Sequence, residues 1–135
     1  MGYRTMKPRD AALRLKRFEA DEKKRKVADL ELMIRDFEQM ATDLERQIRA
    51  EEDRTGVRDA NHFAYSTFAK SAAQRREKLL SSAAELRTKL ESALRERDEA
   101  VDQLARADTA DTPGDVRGRH RGGRAERPQD SNMLR

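Results

Sequence analysis

Between residues 27 and 48 the apolar side chains alternate in steps of three and four: Val27, Leu30, Ile34, Phe37, Ala41, Leu44 and Ile48. A second series, Leu79, Ala83, Leu86, Leu90, Ala93, Arg97, Ala100 and Leu104, keeps the same spacing with one arginine in it. That spacing lays a narrow stripe along one side of an α-helix, the a and d positions of a heptad. The first series predicts a helix over 8–54 and the second a helix over 62–107. Between Pro8 and Ala107 there is no further proline and one glycine, Gly56, so the break falls in TGVRDAN, residues 55–61. A helix of that length is roughly 70 Å long and carries too narrow a stripe to stand alone. A short connection returns the second helix antiparallel to the first. The expected fold is all-α: a long two-helix antiparallel coiled-coil hairpin, rod-like, with both chain ends at one tip. Residues 1–7 are expected as a flexible extension and 108–135 as a disordered tail. With the turn centred near Val57, Ile34 is expected opposite Leu79 or Leu80, and Val27 opposite Leu86 or Arg87. A parallel homodimer of bent helices is the alternative.

The polar positions modify this picture. EADEKKRK, residues 19–26, interrupts the apolar stripe, and Leu13, Leu15 and Phe18 before it read as out of register with Val27 onward. Pairs such as Glu19–Lys23 and Glu22–Lys26 fit a solvated helix face. Arg14, Lys16, Arg17, Lys23, Lys24, Arg25 and Lys26 equally fit a basic docking surface. Beside the seam, helix 1 carries Glu31, Glu38, Glu45 and Glu52 at e and Met33 and Met40 at g, while helix 2 carries Leu80, Leu94 and Val101 at e. Such flanks either widen the core stripe or accept a third helix, from a partner or a second copy.

Composition agrees with long helices. Ala, Glu, Lys, Leu and Arg supply 74 of 135 residues, whereas Leu, Ile, Val and Phe supply 22. The latter fraction is too low for a compact globular core, which excludes Rossmann-type and barrel enzymes. Net charge is +4, but residues 1–26 hold ten Lys/Arg against four Asp/Glu, and 27–107 hold 14 against 17. A basic first quarter thus precedes a slightly acidic middle. Cysteine is absent, which fits a reducing compartment and removes thiolate chemistry. No stretch reaches the roughly 18–20 apolar residues of a membrane span, and MGYRTMKPRD has no apolar segment of a secretory signal behind it. The expectation is a soluble cytoplasmic protein. His62 and His120 lie in different segments and no phosphate-loop or nucleophile-elbow motif occurs, so no catalytic site, metal or cofactor is expected.

Two further segments carry candidate chemistry. DANHFAYSTFAKSAAQRR concentrates Phe63, Tyr65 and Phe68 after the turn, with Asp59 or Ser66 as possible helix caps. The rings are expected to plug the end of the hairpin, with an exposed partner-binding tip as the second reading. RGRHRGGRAERPQD resembles arginine–glycine segments that track nucleic-acid backbones, but it has no aromatic for base stacking and reads as a solvated tail.

RLKRFEADEKKRKVADLELMIRDFEQMATDLERQI, followed by NHFAYSTFAKSAAQRREKL, resembles the FliJ proteins of the flagellar type III export apparatus in their alphaproteobacterial form. The resemblance covers about residues 6–107, and HFAYSTFAK is its most specific part. Members typically open with Met-Lys, as Met6 and Lys7 do, and usually continue the second helix where this chain turns to its tail. The resemblance implies a non-enzymatic cytoplasmic coiled coil, shaped like the stalk of rotary ATPases. Its implied partners are the flagellar export ATPase ring, the cytoplasmic domain of the membrane export gate, and empty export chaperones, at the inner face of the cell membrane. A generic homodimeric coiled-coil adaptor and a nucleic-acid-associated protein are the other classes.

Overall fold

The computed structural model describes residues 7–110 and contains two long helices packed against each other, α1 (Pro8–Thr55) and α2 (Thr67–Ala110). Residues 1–6 and 111–135, which include most of the expected extension and tail, lie outside the described residues.

Local chemistry sets the ends. Pro8 occupies the first turn of α1, where its missing N–H costs no hydrogen bond, and Asp10 follows at the positive end of the helix dipole. At the other end Gly56 takes φ +79° and donates its N–H to the Glu52 carbonyl at 2.8 Å, ending α1 in a left-handed residue that only glycine adopts cheaply. α2 starts at Thr67, five residues later than the periodicity suggested. The cause is Ser66: its Oγ accepts the Ala69 N–H at 3.1 Å and its carbonyl accepts the Lys70 N–H at 3.0 Å. Asp59, the other candidate cap, instead holds a tight turn through the Asn61 N–H at 2.9 Å.

The described residues fall into two compact units, 24–95 and 7–23 with 96–110. In the unit 24–95, Val27, Leu30, Ile34, Leu86 and Ala93 form the core, with Phe37, Leu90 and Leu94 against it. Ala41, Leu44, Ala69, Ala72 and Ala83 are buried along the same seam. Arg87 bridges Glu38, and Arg76 reaches Glu45 at 3.1 Å, so the helices run antiparallel. Large and small side chains share the buried seam, Leu30, Ile34, Leu44 and Leu86 with Ala41, Ala72, Ala83 and Ala93. The expected pairing of Ile34 with Leu79 or Leu80 is therefore corrected. Ile34 lies level with Leu86, and Val27 with Ala93. The turn spans 56–66 and centres beyond Val57, which shifts α2 by one heptad.

The other unit pairs the start of α1 with the end of α2. Lys16 Nζ donates to Gln103 at 3.3 Å and Lys23 Nζ to Glu96 at 3.0 Å. Here a second expectation is corrected. Leu13, Lys16, Ala20, Lys23 and Val27 continue the three–four spacing, so EADEKKRK does not interrupt the seam. Ala20 is fully buried and Leu13 half-buried. Lysine takes the d positions because its long stem covers apolar surface while its ammonium reaches a polar partner at the edge. Leu15 and Phe18, out of this register as expected, face solvent at 56% and 59% exposure.

Candidate partner-binding surfaces

The seven cations of residues 14–26 divide between the two units. Arg14, Lys16, Arg17 and Lys23 belong to the first unit, and Lys24, Arg25 and Lys26 to the unit 24–95. Lys16 and Lys23 are half-buried on the seam and engaged across it. Arg14 and Arg17 are exposed, and Lys24, Arg25 and Lys26 are exposed on their own unit. Continuation of the spacing through Leu13 and Ala20 was the signal that separated seam lysines from surface cations.

At the turn, the aromatics do not plug the end of the hairpin. Phe63 is 96% exposed and stacks on His62 with ring centroids 4.7 Å apart, while Phe68 is also exposed. Tyr65 alone is half-buried, and its hydroxyl donates to Glu52 at 2.6 Å. A polar network closes the end instead. The Ser66 hydroxyl donates to Glu51 Oε2 at 2.6 Å, and Arg54 donates to both Glu51 oxygens at 3.0 and 2.8 Å. The physical reason lies in α1, whose seam ends in Glu51 and Thr55 and so offers carboxylate rather than apolar surface. The Arg54 and Ser66 hydrogen bonds hold the Glu51 carboxyl down to about 2. The hydrogen bonds to Glu51, and then its charge, hold Arg54 above the ordinary guanidinium range, and the hydrogen bond to the Glu52 carboxylate raises the Tyr65 hydroxyl. His62 Nδ1 accepts the Ala64 N–H at 2.9 Å, so the loop bearing Phe63 is stapled to itself. Sequence gave no sign of this network beyond the Ser66 cap.

The flanks of the seam in the unit 24–95 separate the two readings of the sequence. Leu80 and Leu94 are half-buried on the side of the Glu38–Arg87 bridge and widen the core stripe. Met33 and Met40, on the opposite flank, remain 43% and 46% exposed. Val101, in the other unit, is also exposed. The remaining seam residues Leu44, Ile48, Leu79, Leu90 and Leu104 are buried or half-buried as expected.

Among the described residues there is no group of three or more His, Cys, Asp or Glu able to hold a metal ion. No described helix is long and apolar enough to cross a membrane. The fold and its surfaces define an antiparallel coiled-coil hairpin. No family model, curated protein or solved structure matches the chain.

Proposed function

We propose that this chain is a non-enzymatic, FliJ-like stalk of the flagellar type III export apparatus, linking the export ATPase ring to the membrane export gate and handling empty export chaperones. The observation that carries the reading is the antiparallel hairpin bearing HFAYSTFAK at its turn. The resemblance implied that fold, and the motif starts in the self-stapled loop at 62–66 and runs into the first turn of α2, where Ala69 is buried. A loop held in one conformation with Phe63 in water suits contact with another protein, because its ordering entropy is already met before binding. The exposed Arg14 and Arg17 near the start of α1 suit an acidic partner such as a ring lumen. The protein would then act in the cytoplasm, peripheral to the membrane and without inserting into it.

Deletion of the gene in its own cells tests the proposal. Loss of swimming with arrest of flagellar protein export, both restored by the wild-type gene, is the expected result. Normal motility and export in the deletion strain would refute the stalk reading and leave a generic coiled-coil adaptor.

A further inference from the structure

We infer that the face carrying Met33 and Met40 is a self-association surface whose occupant is a second copy of this chain. All its residues lie in the unit 24–95. On α1, Asp29, Met33, Asp36, Met40 and Asp43 follow the three–four spacing and form one exposed stripe beside the seam. The matching exposed stripe on α2 carries Arg75, Lys78 and Lys89, with Glu85 as its one acid. The Glu38–Arg87 bridge fixes the other flank, so the two stripes lie side by side across the seam from it. On that other flank Glu38 pairs with Arg87 and Glu45 with Arg76 and Arg49, while Glu31 makes no ion pair among the described residues. Asp43 is matched by Arg46 at 3.0 Å. Among the described residues, Asp29, Asp36, Arg75, Lys78 and Lys89 make no ion pair.

The face is acidic on one edge and basic on the other, with apolar methionines between. Neither a uniformly acidic nor a uniformly basic helix complements it. A second copy does. A two-fold axis along the hairpin sets α1 of one copy over α2 of the other, antiparallel and at the same level. Asp43 then meets Lys78 of the second copy, and Asp29 and Asp36 bracket its Lys89, while the methionines meet near the axis. Glu85 is the single mismatch. The other two-fold arrangement lays α1 on α1 and opposes aspartate to aspartate. This association is independent of the stalk reading, whose ring-facing Arg14 and Arg17 lie in the first unit.

Sedimentation equilibrium on the full chain tests it, with helix content checked by circular dichroism. The variants are Asp29→Lys with Asp36→Lys and Asp43→Lys, and Arg75→Glu with Lys78→Glu and Lys89→Glu. Wild type should rise with concentration from 15.6 kDa toward twice that mass at low salt, and revert near 1 M salt, where screening shortens to about 3 Å. Each variant alone should associate at least about tenfold more weakly, since three attractions per contact become repulsions. An equimolar mixture of the two should recover association. If either triple variant loses helix, the single pair Asp36→Lys and Lys89→Glu makes the same comparison. Wild type at 15.6 kDa throughout, a variant that dimerises unaided, or a mixture that stays monomeric would each overturn the inference. So would a monomer whose variants lose only a different partner protein.

Discussion

Leu86→Ala probes the seam at the one leucine buried on α2 among the described residues. Leu86 is 9% exposed, level with Ile34 and flanked by Leu90 and Phe37. Truncation removes three carbons from that layer, a loss of roughly 2–3 kcal/mol in transfer free energy. The cavity contribution is small, because no large side chain among the described residues is fully enclosed and a two-helix layer can close inward. Alanine's higher helix propensity returns a few tenths of a kcal/mol. The expected net cost is therefore about 2 kcal/mol, and at roughly 4–8 °C per kcal/mol for a domain of this size the melting midpoint should fall by about 10–15 °C. Far-ultraviolet circular dichroism at one fixed protein concentration reads it, since association would otherwise add to the apparent stability. Leu15→Ala is the control: at 56% exposure and off the seam, it should change stability by less than about 0.5 kcal/mol. A Leu86→Ala protein that melts with wild type, or a Leu15→Ala protein that falls as far as Leu86→Ala, would refute the seam assignment.

Register is testable because the chain lacks cysteine. Cysteines at Ile34 and Leu86 should close an intramolecular disulfide rapidly in dilute solution, and cysteines at Ile34 and Leu79 should not; the reverse outcome restores a turn centred near Val57. Gly56→Ala should cost about 1 kcal/mol from its φ of +79° alone, since nothing lies within 4 Å of an added Cβ; an unchanged urea midpoint would contradict that end of α1. Glu51 has a folded pKa of about 2 against an ordinary 4.5, so its contribution is present above 4.5 and is lost as pH falls toward 2. Glu51→Gln should therefore flatten the acid limb of the stability profile between those values, and a carboxyl that NMR shows titrating near 4.5 would remove the network's role.

Heptad spacing made the two helices and most of the seam legible, because the period of apolar positions directly encodes which face is buried. Two features escaped it. The register depended on where α2 begins, and that is decided by the Ser66 cap and the stapled loop 56–66 rather than by periodicity. Lys16 and Lys23 were misread because binary patterning treats every lysine as outward, whereas an aliphatic stem with a partner across the seam occupies a d position without burying charge. The aromatics misled for a related reason. Ring count suggested a plug, but the carboxylates of Glu51 and Glu52 at the end of α1 called for hydroxyl and guanidinium partners, which left Phe63 outside. Nothing in the sequence pattern alone assigned the two flanks, since Leu80 and Met33 look equally apolar until the Glu38–Arg87 bridge fixes which side closes.

The stalk account is tested most directly by binding of the full chain to the purified flagellar export ATPase of the same cells. Wild type should bind, and reversal of Arg14 and Arg17 to Glu should weaken binding, with helix content unchanged because both residues are exposed. Raising salt from 0.1 M, where the Debye length is about 10 Å, should weaken wild-type binding as well. Reversal of Arg117, Arg119 and Arg121, equal in sign and larger by one residue, should have much less effect. No binding by the wild-type chain, or full binding by the Arg14 and Arg17 variant, would contradict the account.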